Sequence, residues 1–83
     1  MYNQFDGYNG YYNYYNSQQP VITIQEAIQI AINNIFGQVI KAELDTENGL
    51  LVYEVIVITP QGTRYKIEVD AINGNVVSAE LDR

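Results

Sequence analysis

Glu43, Glu54 and Glu68 each stand on a run of alternating apolar and polar residues. If those runs pair as consecutive antiparallel strands, the three carboxylates form a row across one sheet face. Like charges placed side by side repel unless a cation, or a partner's Lys or Arg, sits among them. The same residues also read as a solvated face, relieved by Lys66 diagonal to Glu54 and by the cross-strand pairs Lys66 with Glu80 and Arg64 with Asp82. Nucleophilic chemistry lacks its parts. The chain has neither Cys nor His, so Ser17 and Ser78 are left as hydroxyls with no base nearby in sequence. The usual zinc ligands are missing with them. The six glycines include no phosphate loop, and "DTENG" from Asp45 is no calcium loop, because Thr46 occupies a position that needs an acid or amide. These residues point away from an enzyme and from a bound cofactor.

A row of this kind needs a sheet to hold it, and the turn signals supply one. Runs over Gln38 to Asp45, Leu50 to Thr59, Thr63 to Asp70 and Asn75 to Asp82 alternate with period two, separated by "TENGL", "TPQGT" and "AINGN". Connections so short cannot cross a sheet, which makes the strands an antiparallel meander. An Asn48-Gly49 turn sets Leu44 opposite Tyr53, Ala42 opposite Val55 and Ile40 opposite Val57. Three-residue loops at Pro60 to Gly62 and Ile72 to Gly74 then pair Val57 with Tyr65, Val55 with Ile67, Tyr53 with Val69, Val69 with Val77, Ile67 with Ala79 and Tyr65 with Leu81. One face of all four strands becomes apolar, and a slip of one residue would turn each set outward.

Ahead of the strands, "ITIQEAIQIAINNIFG" reads as a helix from Ile24 to Phe36. Thr23 and Glu26 make a capping box, Ile22 and Ala27 a hydrophobic staple, and Gly37 is expected to end the helix in a left-handed conformation. Ile24, Ala27, Ile28, Ala31, Ile32 and Ile35 share a stripe. Ile30 falls on a flank, where it reads as an ordinary exposed aliphatic. The expected fold is α+β in two layers, one helix packed on a four-stranded antiparallel meander sheet, in the order αββββ.

Composition divides the chain at Pro20. Residues 1–20 are rich in Tyr, Asn, Gln and Gly and lack aliphatic periodicity, and residues 21–83 carry the fold. Six of the eight tyrosines lie in the first fifteen residues. The first segment reads as a disordered arm, and Tyr8, Tyr11, Tyr12, Tyr14 and Tyr15 admit three roles: a passive leader, adhesive groups for assembly, or rings that fold back on an apolar patch. With Lys and Arg numbering 4 against 10 Asp and Glu, the net charge is −6. That disfavours nucleic acid and anionic membrane as partners and favours a basic or neutral protein. No stretch approaches a membrane span. The amino end has neither the basic start nor the apolar core of a secretory signal.

The outer sheet face carries a second feature. Val39, Ile56 and Ile58 are expected together on it, with Leu50 and Val52 towards the other end, where a half-solvated sheet is normally polar. Such a patch marks a homodimer or partner surface unless it is small or covered by the arm. The edge runs Gln38 to Asp45 and Asn75 to Asp82 offer a further mode, strand addition by an extended peptide.

"ITIQEAIQIAI", "VIKAELDTENGLLVYEVIV" and "GTRYKIEVDAINGNVVSAELD" together resemble the PepSY domain, found in propeptides of bacterial metalloproteases and in spore and cell-envelope proteins. The marks are Glu26-Ala27, Tyr53 to Val55 and Val69 to Val77. The resemblance implies a non-catalytic binding module that inhibits or chaperones a peptidase or other hydrolase, in an extracytoplasmic, envelope or spore setting. The competing reading is a structural protein, dimeric through the outer sheet and assembled or cross-linked by the tyrosine-rich arm.

Overall fold

The computed structural model of the chain describes residues 19–83. Expectations about the tyrosine-rich arm before Gln19 lie outside the described residues. One helix, α1 (Ile24–Asn34), precedes four strands: β1 (Gln38–Glu47), β2 (Leu50–Ile58), β3 (Arg64–Asp70) and β4 (Val76–Leu81). The strands form a single antiparallel sheet in the order β1-β2-β3-β4.

The helix begins where its capping box sets it. Thr23 Oγ1 accepts from Glu26 N–H at 3.1 Å and Glu26 Oε1 accepts from Thr23 N–H at 2.7 Å, satisfying two otherwise orphaned donors. Ala27 and Ala31 are fully buried at the centre of its sheet-facing side. Two methyl groups there let the helix backbone come close, while Ile24, Ile30, Ile32 and Ile35 pack around the same core. From the sheet, Tyr53, Val55, Val57, Ile67, Val69 and Ala71 complete it.

The entry to the helix is fixed twice. Val21 and Ile22 both donate N–H to Ala71 O, at 2.8 and 3.1 Å. Tyr53 then donates its hydroxyl to Ile22 O at 2.8 Å.

Several details depart from the sequence reading. The helix stops at Asn34, and Ile35 caps it with extended dihedrals while its N–H still reaches Ala31 O at 2.9 Å. Gly37 is not left-handed; positive φ among the described glycines occurs at Gly49, Gly62 and Gly74. Gly37 serves close approach instead, because a Cβ there would lie 2.3 Å from Ile58 O and 2.7 Å from Val57 Cγ1. Ile30 is half-buried and packs on the core.

The first hairpin turns on Asn48 and Gly49, both at positive φ, as a two-residue turn between twisted strands requires. Its register holds Leu44 against Tyr53 and Ala42 against Val55. A bulge then intervenes: Val39 faces Val57 and Lys41 faces Ile56, which leaves Ile40 as the extra residue. The pairing of Ile40 with Val57 is thereby corrected. β3 and β4 show the same device. Tyr65 pairs with Leu81 and Ile67 with Ala79, but Val69 pairs with Val76, so Val77 is the extra residue. The cause lies in the last turn. Asp70, 7% exposed, accepts from the N–H groups of Ile72 and Asn73 at 2.7 and 3.2 Å, and its own N–H binds Asn75 O at 2.7 Å. This closes the turn a residue earlier than alternation alone suggests.

Two predictions follow from this packing. Gly37→Ala drives a methyl against a backbone carbonyl that cannot swing aside, and should cost about 3 kcal/mol. Gly62→Ala has nothing within 4 Å of the added carbon and only a positive φ to strain, and should cost roughly 1 kcal/mol; urea midpoints compare the two. Tyr53 has its phenol held above the ordinary value of 10.0, by burial first and by the nearby Glu26 second. The folded chain therefore keeps this proton longer than the unfolded one, so the contribution is complete below pH 10 and declines as pH rises through the folded pKa. Tyr53→Phe should lower stability by about 1 kcal/mol at neutral pH, and the gap to the wild type should narrow in alkaline urea titrations.

Candidate functional site

The row of carboxylates exists. Glu43 pairs with Glu54 and Glu54 with Glu68, and the row continues to Ser78, whose hydroxyl donates to Glu68 Oε1 at 2.9 Å. Basic groups flank it: Lys41 Nζ lies 3.4 Å from Glu43 Oε2, and Lys66 Nζ lies 3.7 Å from Glu54 Oε2. Arg64 meets Asp82 at 3.0 Å, as the strand parity requires. Glu54 above all holds the Lys66 ammonium above the usual lysine range; burial, second in size, opposes it, and Glu68, Glu80 and Glu47 add to the rise.

Glu54 also belongs to a second group. One oxygen each from Asp45, Glu47 and Glu54 fall within 4.8 Å of one another. Asp45 and Glu47 have the same strand parity as Glu43, so alternation along β1 already carried the signal for this group. An all-oxygen set of this kind suits a hard cation or a basic side chain, and exposed carboxylates also stand as readily in water.

The apolar patch of the outer face differs from expectation. Val39 is not on it, because the bulge at Ile40 turns Val39 towards the core, where it packs. Val52 and Ile56 do lie on it, yet they are 0% and 4% exposed. Ile56 sits between Lys41 and Lys66 in the register, and long basic stems cover such a neighbour well. Leu50 and Ile58 are half-buried. Tyr8, Tyr11, Tyr12, Tyr14 and Tyr15 lie outside the described residues.

Apolar surface is open elsewhere. The helix packs on β1, β2 and β3, and on its side of β4 Leu81 is 46% exposed and Ala79 exposed beside half-buried Tyr65. Phe36, 76% exposed, stands at a shallow cleft with Gln38, Ile58 and Pro60. A groove of about 480 Å³ runs between the helix and the turn after β3. Its floor is Ile22, Ile30 and Gly74, and its rim is Gln25, Glu26, Gln29 and Asn73. Neither the uncovered lane of Leu81 and Ala79 on β4 nor the groove announced itself in the sequence, since each depends on which strands the helix covers or how one turn folds.

The electrostatics of the row give a test. Lys66→Gln leaves four neighbouring carboxylates without their central cation, so its thermal midpoint should fall at low ionic strength and recover with added NaCl more steeply than the wild type's.

A family model for the peptidase propeptide and YPEB domain, PepSY, matches residues 21–80. The uncharacterized protein YkoJ of Bacillus subtilis (strain 168) is 35% identical over 66 residues, covering 80% of this chain and 39% of YkoJ. A crystal structure from Clostridium difficile 630, of a protein described as a candidate lipoprotein, superposes with a TM-score of 0.71 at 27% identity, covering 76% of this chain and 41% of that one. The chain thus spans about two fifths of each relative's length. Among the described residues no helix is long and apolar enough to cross a membrane. The matched residues contain the capping box, β1 to β3, the Asp70 turn and β4 up to Glu80, and on these grounds the chain belongs to the PepSY family.

Proposed function

We propose that this chain acts by binding another protein, without turnover, and that a peptidase or other hydrolase is the partner class. The observation that carries the reading is the uncovered lane on the helix side of β4. Leu81 and Ala79 are exposed there beside Tyr65, in a domain of some 65 described residues that has little apolar surface to spare. An extended apolar segment of a partner can lie along that lane, while the acidic outer face repels acidic competitors and steers basic ones in. Family membership supports a non-catalytic module. The outer-face homodimer loses support, because Val39 points inward and Val52 and Ile56 are buried.

The test is a titration of a purified zinc metallopeptidase with the full chain. Stoichiometric loss of peptidase activity is expected. Leu81→Asp should weaken it by a factor of ten or more, roughly the effect of burying an unpaired charge at an interface, while the variant's thermal midpoint stays close to the wild type's. If the peptidase is untouched and the full chain instead sediments as assemblies that vanish when the arm tyrosines become serine, the structural reading replaces this one.

A further inference from the structure

The groove between α1 and the turn after β3 has an apolar floor and an amide rim, and it serves no purpose in the partner lane of β4. Gly74 helps keep it open. A Cβ at that position would lie 3.4 Å from Ile30 Cδ1 and 3.9 Å from Ile22 Cγ2, filling the floor. Of the rim groups, Glu26 is already engaged through Oε1 in the capping box and Asn73 through Oδ1, which accepts from Asn75 N–H at 2.9 Å, so the Gln25 and Gln29 amides and the Asn73 side-chain NH2 are the neutral polar groups left at the rim. The site therefore suits an uncharged group with an aromatic body and one polar tip. Tyrosine is that group.

We propose that the groove receives the Tyr14-Tyr15 pair of the chain's own N-terminal segment. Three observations select this occupant. Ile22 is itself part of the floor, and Val21 and Ile22 are pinned to Ala71 O, so the chain is anchored at the floor only three residues after the described structure begins at Gln19. Tyr15 precedes Ile22 by seven residues, a reach of roughly 23–25 Å when extended. The groove runs from Ile22, just ahead of the helix, to Ile30, and its helical part from Ile24 rises roughly 9 Å, so the segment can double back through Asn16 and Ser17, both turn formers. Residues 1–18 carry one charged side chain, Asp6, which matches a rim without a free cation. A segment tethered this closely has an effective concentration of order millimolar. It therefore outcompetes the same segment of a second copy in dilute solution.

The experiment is NMR on the full chain with isotope-labelled isoleucine methyl groups. Ring-to-methyl NOEs from arm tyrosines to the Ile30 Cδ1 methyl are expected, together with loss of those NOEs and shifts of the Gln25, Gln29 and Asn73 amides in the full-length double variant Tyr14→Ser, Tyr15→Ser. Ile30 is the reporter because Tyr53 already lies against Ile22. Absence of arm NOEs at Ile30, or their appearance at Ile56 or Ile58 on the outer face, overturns the proposal. So does their appearance only between differently labelled chains in a mixed sample, which would make the occupant a second copy. Partner inhibition need not change in any of these outcomes, so the two readings fail separately.

Discussion

A helix of eleven residues has little lasting population in water by itself, so α1 exists because of what it lies on. The contact at its centre is made by Ala27 and Ala31, both without exposed surface. Their small size brings the helix axis close to β2 and β3, and this proximity lets Ile24, Ile30, Ile32 and Ile35 close over the same core. Both ends of the element are held to that height. At one end Ile22 is bound by Tyr53 and by Ala71; at the other, Gly37 lets the chain pass against Ile58 O. The seating of this one element determines which strand stays uncovered and where a groove remains beside it.

Much of this architecture was legible, and the misses have definite causes. Three turns with Gly at the required place fixed the order of the strands, and period-two alternation fixed most of their pairing. The helix start was legible because a capping box is a local event with a local sequence. The two bulges were not. Each falls within a pair of adjacent aliphatics, Val39-Ile40 and Val76-Val77, where alternation cannot say which of the two faces inward. Choosing the wrong member of the first pair placed Val39 on the outer face. Gly37 illustrates a similar ambiguity: one letter serves a left-handed cap or a close approach, and only the position of Ile58 decides. The carboxylate row was read correctly because it lies beyond both bulges, in the part of the sheet where parity is undisturbed.

The two faces of the sheet have different physical characters. The helix side is held by burial and has one uncovered margin. The outer side is governed by charge, with Lys66 among Glu54, Glu68, Glu80 and Glu47, so its behaviour depends on ionic strength far more than the core does. A module built this way can meet a partner through apolar contact while its other face sets which partners approach at all. Since the chain corresponds to about two fifths of each relative considered, such a module is compatible with quite different surroundings.

The bulges at Ile40 and Val77 bear on what the two edges of the sheet offer to a further strand. Both sit on the outermost strands, and each breaks the regular spacing of backbone donors and acceptors that a further strand would need. The segment before Gln19 combines aromatic and amide side chains with almost no charge, the composition from which cross-β fibrils form most readily. Beside such a segment, two straight and unbroken edges would offer a template for fibril growth. The irregular edges interrupt that template at one point on each outer strand.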